Sequence, residues 1–167
     1  IWSGEHHVTD GFHYFPLLPM LQRLSAEAEG LEIGTNIVLL PLHNPIELAE
    51  ITAFLDVICG GRFNLGVGLG YRPEEYEMFD APWDTRGAFF DDWVQALLNA
   101  WSGQPFTYRD RKVPAVTPQA LTEPHPPVFI GGRSKAAARR AAKFGLNFFP
   151  DSSDPALREA YEEACRA

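Results

Sequence analysis

Residues able to do chemistry gather at three places in the chain. Gly4-Glu5-His6-His7 sets a carboxylate beside two imidazoles directly after the apolar Ile1-Trp2-Ser3. Gly66-Val67-Gly68-Leu69-Gly70-Tyr71 closes an apolar run with glycines, and Gly131-Gly132-Arg133-Ser134 follows Val128-Phe129-Ile130. Histidine ordinarily titrates near neutrality, so the first group suits proton transfer. Glycines let backbone approach a ligand closely. A serine between a strand and a helix caps the helix, whose free N–H groups and dipole make an anion site. Neighbouring strand residues point to opposite faces. One of His6 and His7 therefore faces the strand-end mouth and the other the shell. That argues against a two-histidine metal site, and we expect no metal.

The elements that position these groups alternate regularly. Residues 1–6 read as a strand. Residues 16–28 read as a helix with Leu17, Leu18, Leu21 and Leu24 on one face, stopped by Gly30. Residues 31–40 form the next strand. Asn44 caps a helix with Pro45 at its first position and Glu47 reaching back as in a capping box; it ends at Gly60-Gly61. Residues 63–68 are a third strand, 71–83 a loop, and 86–101 an amphipathic helix with Phe90, Trp93, Val94, Leu97, Leu98 and Trp101 inward. Residues 103–127 read as an irregular, Pro-rich insertion within a single domain spanning 1–167. Residues 128–130 are a strand, 135–144 a helix capped by Ser134, and 146–149 a fifth strand; Asp154-Pro155 starts the last helix.

Strand–helix alternation with nearly continuous apolar strands predicts an α/β fold with a parallel sheet. No phosphate loop of the GxxxxGK type is present, and no helix opens right after Gly66–Gly70, so a Rossmann fingerprint is weak. A TIM (β/α)8 barrel is the better reading, with chemistry at the C-terminal strand ends. Five strands in 167 residues fall short of the roughly 250 residues of eight units. The chain also opens inside a strand without Met, so we expect a partial barrel truncated at both ends.

Composition sets further bounds. Hydrophobic residues make up 46% and charged residues 22%, as in a globular domain with a real core. A net charge of −8 disfavours nucleic acid and anionic membranes as partners. No apolar run reaches the ~18 residues of a membrane span. The two cysteines, Cys59 and Cys165, form no CxxC and support neither a disulfide framework nor zinc. This fits a cytoplasmic protein.

The chain resembles the luciferase-like flavin monooxygenase superfamily, which includes bacterial luciferase and deazaflavin-dependent oxidoreductases. The resemblance rests on Gly4-Glu5-His6-His7, Leu31-Glu32-Ile33-Gly34-Thr35, Pro41 with Asn44-Pro45, Leu55-Asp56 with Gly60-Gly61-Arg62-Phe63, Leu65-Gly66-Val67-Gly68, and Gly131-Gly132-Arg133-Ser134 with Ala141-Ala142-Lys143-Phe144-Gly145. Each motif is weak alone; their order along nearly the whole chain is specific. The resemblance places them on barrel strands two to six. It makes His6 the mouth-facing catalytic histidine beside a flavin ring. It maps a non-proline cis peptide onto Asn36-Ile37, against that ring. It assigns cofactor contacts to Gly68, Leu69, Gly70 and Tyr71, and the flavin phosphate to Gly131, Gly132, Arg133 and Ser134. Relatives often carry a cation where Leu69 stands; Arg72 or Arg133 is the candidate replacement. Glu75 matches an acidic position of the family, although an exposed loop glutamate is the commoner explanation.

The implied function is an FMN-dependent monooxygenase that oxidises a small organic substrate with O2 through a peroxyflavin. A separate flavin reductase and a homo-oligomer are implied partners. One alternative is a deazaflavin coenzyme with hydride transfer; another is an inactive barrel fragment whose open sheet edges drive self-association. A sugar- or phosphate-processing barrel needs paired carboxylates at strand ends, and only Glu5 fits. Phe12, Tyr14 and Phe15 either line a substrate pocket or belong to the core. Arg139 and Arg140 read as a solvated face, Tyr76, Met78 and Phe79 as loop packing, and His13 and His43 carry no readable role.

Overall fold

The computed structural model describes residues 1–167. The chain runs β1 (Trp2–Ser3), α1 (Leu17–Ser25), β2 (Ile33–Thr35), β3 (Val38–Leu39), a 3-10 turn at Leu40–Leu42, α2 (Pro45–Ile58), β4 (Phe63–Gly68), α3 (Pro73–Met78), α4 (Arg86–Trp101), β5 (Phe106–Tyr108), β6 (Arg111–Val113), β7 (Val128–Gly132), α5 (Lys135–Lys143), β8 (Asn147–Pro150) and α6 (Pro155–Arg166). The main sheet is parallel throughout, ordered β1-β2-β4-β7-β8, with β3 also paired to β4. Strand order and helical crossovers are those of a partial (β/α)8 barrel. No helix is long and apolar enough to cross a membrane.

The centre of the sheet is β4, all of whose residues are buried. Phe63, Leu65 and Val67 join one apolar core with Leu48, Ala49 and Ala53 of α2 and Trp93, Leu97 and Trp101 of α4. The indole N–H of Trp101 donates to the Ala49 carbonyl at 3.1 Å and locks the two helices together. On the opposite face of β4, Thr35 Oγ1 donates to the Gly66 carbonyl at 2.7 Å and accepts from the Gly66 N–H at 2.8 Å. A Cβ at Gly66 would run into the Thr35 carbonyl, so only glycine lets β2 and β4 approach this closely. Gly60 and Gly61, at φ 63° and 76°, stop α2 as expected.

Five local expectations change. Strand 1–6 is regular only at Trp2–Ser3; beyond it Gly4 passes so close to the Asn36 carbonyl that a Cβ would sit 2.7 Å away. The single strand expected over 31–40 is split into β2 and β3 by a cis Asn36-Ile37 peptide, the non-proline cis bond mapped there by resemblance. The 71–83 loop contains α3, started by Pro73. Residues 103–127 are not wholly irregular: β5 and β6 pair antiparallel within them. The segment is tied down by Asp56, fully buried, whose carboxylate accepts from the N–H and Oγ1 of Thr122 at 2.7 and 3.1 Å. Asn44 caps α2 by accepting from the Ile46 N–H at 2.9 Å, without a return bond from Glu47.

Candidate active site

The C-terminal ends of the parallel strands surround one large cavity of about 660 Å³, within the roughly 300–1,000 Å³ of small-molecule sites. His6 enters it from the segment after β1, Asn36 and Ile37 from the break between β2 and β3, and Leu69, Gly70 and Tyr71 from the end of β4. Gly131, Gly132, Arg133 and Ser134 face them from β7 and the start of α5. Ten of the eleven residues expected at the site therefore line a single space. Gly68 does not. A Cβ there would strike the Ile37 side chain and lie 3.2 Å from the Gly131 carbonyl, so Gly68 packs beneath the floor.

His6 is held from behind. Its Nδ1 lies 2.9 Å from Glu75 Oε1, and the same oxygen accepts the His7 backbone N–H at 2.8 Å. Glu75 is fully buried, which overturns its reading as an exposed loop residue. A carboxylate oxygen accepts, so the Nδ1 proton points at Glu75 and Nε2 is left toward the cavity. Tyr71 Oη is 3.5 Å from that Nε2, and the rings of Tyr14 and Tyr71 meet His6 edge-on at 5.0 and 5.5 Å. Tyr14 thus lines the cavity, whereas Phe12 and Phe15 are exposed and do not. Arg72 lies 3.4 Å from the His7 carbonyl and 3.6 Å from Glu75, away from the cavity.

The side chain of His7 points away from the cavity, as expected, although both histidines lie beyond the regular part of β1. It meets Glu5 and His43 on the shell side, against the ring of Phe79 at 4.5 Å. Glu5 accepts the Leu39 N–H at 2.7 Å and sits 2.9 Å from His43 Nε2. Burial pushes the Glu5 carboxyl up, but the contacts with His43 and His7 and the Leu39 N–H outweigh it and hold the pKa down at about 2. The Glu5 carboxylate in turn raises His7 above the usual histidine range, against the effect of burial. His43 had no readable role in sequence. Its position after the 3-10 turn brings it to Glu5, a contact that sequence spacing does not reveal.

Across the cavity, Ser134 caps α5 by accepting from the Ala137 N–H at 3.2 Å. The N–H groups ahead of it in the first helical turn have no intrahelical partners and are available to an anion. Gly132 permits this close turn, since a Cβ would lie 2.7 Å from that of Ala137. Arg133 is the cation of this rim, ion-paired with Asp151 and 5.9 Å over the Tyr71 ring. Arg140 is not on a solvated face: it lines the cavity wall and binds Asp91 at 2.5 Å and the Gly87 carbonyl at 3.0 Å. Residues present thus fit a flat ring against the Asn36–Ile37 floor and an anionic tail at the start of α5.

The full chain, residues 1–167, matches the family model described as luciferase-like monooxygenase. The oxygenase component of a flavin-dependent trigonelline monooxygenase from Acinetobacter baylyi is 29% identical over 157 residues, 88% of this chain and 42% of that protein. The oxygenating constituent of 3,6-diketocamphane monooxygenase of Pseudomonas putida, solved with FMN, superposes with a TM-score of 0.84 at 18% identity, covering 99% of this chain and 52% of that one. An F420-dependent secondary alcohol dehydrogenase superposes with a TM-score of 0.85 at 18% identity, covering 99% and 54%. The last two likenesses establish the fold. The chain spans about half the length of the proteins it matches.

Proposed function

The chain belongs to the luciferase-like monooxygenase family, and from that premise we propose that it carries the flavin site of an FMN-dependent monooxygenase acting on a small organic substrate with O2. The observation that carries this reading is the facing arrangement in one cavity of His6 and the Gly131–Ser134 anion site. Gly131, Gly132, Ser134 and the first turn of α5 would hold the phosphate, with Arg133 leaving Asp151 for it. Asn36, Ile37, Leu69, Gly70 and Tyr71 would hold the ring. Bound reduced FMN supplies the electrons and activates O2. The protein orients and shields: Tyr14 and Tyr71 flank His6, and Nε2 of His6 takes or returns a proton of the substrate while Glu75 keeps its ring in one tautomer. The oxygenase-component relative supports a separate flavin reductase as the source of reduced FMN.

A deazaflavin reading keeps the same residues and replaces O2 chemistry by hydride transfer. The missing cation at Leu69 does not decide between the two, and the fold likeness to the F420-dependent enzyme equals that to the FMN enzyme. Fluorescence titration with FMN, riboflavin and a deazaflavin coenzyme separates the readings. We expect saturable FMN binding, weakened in Ser134→Ala far more than riboflavin binding is, because only FMN carries the phosphate. That substitution also removes a helix cap worth about 1 kcal/mol, so the variant's fold is checked by circular dichroism. Preference for the deazaflavin would replace FMN as the cofactor, and saturable binding of none of the three would overturn the reading.

A further inference from the structure

We propose that Glu5, His7 and His43 form a binding site for a divalent transition metal of the zinc type, on the shell side of the sheet, where Glu5 alone of the three also reaches the wall of the large cavity. Nε2 of His7 and Nε2 of His43 lie 3.1 and 2.9 Å from the same oxygen, Oε1 of Glu5. The three ligand atoms all fall within 4.8 Å of one another. An ion at zinc-ligand distances separates tetrahedral donors by about 3.3 Å, so each imidazole need move from the Glu5 oxygen by only a few tenths of an ångström, with the two imidazole nitrogens already within 4.8 Å of each other. Two imidazole nitrogens and a carboxylate oxygen are a donor set that suits zinc and its neighbours rather than magnesium or calcium.

Two further observations point to a ligand rather than to a closed hydrogen-bond network. His7 Nε2 is buried yet makes no hydrogen bond of good geometry, although it lies close to Glu5. The cluster also opens on a recess of about 230 Å³ lined by Glu5, His7, His43 and Glu47, through which an ion can enter with its waters. The donors are preorganised from both sides. Glu75 fixes the His7 backbone, the Leu39 N–H fixes the Glu5 carboxylate, and Asn44, next to His43, caps α2. Because Glu5 and His7 flank His6, an ion here clamps the segment carrying His6 to the start of α2. The role is structural positioning, and it stands independently of the flavin assignment.

The test is titration of the chelator-treated chain with Co2+, followed by its visible absorption, and with Zn2+ by calorimetry. The expected result is one equivalent of either ion, a Co2+ spectrum of four- or five-coordinate type, and a rise in Tm that chelation reverses. His7→Gln and His43→Gln should each weaken binding by about 10-fold or more, while His13→Ala, exposed and outside the cluster, leaves it unchanged. Absence of Co2+ and Zn2+ uptake by the unsubstituted chain would overturn the proposal, as would uptake that survives both glutamine variants. If either variant fails to fold, anomalous scattering from zinc-treated crystals of the unsubstituted chain decides. A peak between the three donors supports the site, and a peak elsewhere or none overturns it.

Discussion

Nδ1 of His6 lies 2.9 Å from Oε1 of Glu75, a residue 69 positions further along the chain and fully buried. The acid is delivered by α3, a helix of six residues that follows β4, while the histidine follows β1. The sheet order leaves only β2 between these two strands, so their ends open on the same side of the sheet. A histidine whose Nδ1–H is taken by a carboxylate presents Nε2 as its working nitrogen.

Glu75→Gln tests that relationship. The amide can donate to Nδ1 and so favours the wrong tautomer, and it weakens the hold on the His7 N–H. Turnover in the proposed flavin-dependent reaction is expected to fall by roughly 10²-fold, at the low end of general acid–base contributions. FMN affinity should change little, because Glu75 lies outside the cavity lining. Steady-state kinetics together with a flavin titration separate the two; equal loss of both would assign Glu75 to folding alone.

Tyr76 gives a stability prediction with a defined pH window. Its ring is 1% exposed and its hydroxyl donates to the Leu69 carbonyl, at the edge of the cavity. Burial raises its pKa from 10.0 to about 12, with Arg86 opposing and Glu75 adding. Between those values the unfolded chain has released the phenolic proton and the folded chain keeps it. Stability from this group is therefore complete below pH 10 and is lost as pH rises toward 12. Tyr76→Phe should cost about 1 kcal/mol at neutral pH and flatten that alkaline decline. Urea unfolding across the window is the measurement, and an unchanged alkaline slope in the variant would count against the assignment.

Gly66→Ala probes the closest approach in the sheet. Its added methyl has no room beside the Thr35 carbonyl, and backbone cannot swing aside as a flexible side chain would. Loss of about 1–3 kcal/mol is expected from overpacking. Gly87→Ala, where a Cβ meets nothing within 4 Å, is the comparison and should be neutral or slightly stabilising. Thermal melting of the pair reads the difference directly.

Local chemistry fixed much of this protein before any fold was known. Alternating apolar runs, the Asn44 and Ser134 caps and the glycine stops located the five strand–helix units, though not α3, the β5–β6 pair or the break between β2 and β3, because each unit is decided by neighbours in sequence. The order of those elements then limited the fold to a parallel α/β sheet. The alternation of an extended segment correctly anticipated that His6 and His7 diverge, although they lie beyond β1, and the ordered motifs named the loops that meet at one cavity. Tertiary structure decided everything that depends on a distant partner. Glu75 reads as an ordinary loop acid until α3 buries it against His6. His43 has no role until the 3-10 turn carries it to Glu5. Arg140 reads as solvated until Asp91 of α4 meets it, and Gly68 reads as a ligand-facing glycine until Ile37 fills the space above it. Periodicity reports which face of an element is buried, but not which residue from 30 or 70 positions away covers it. That choice is made by strand order and crossover, and it is where the chemistry of this site is set.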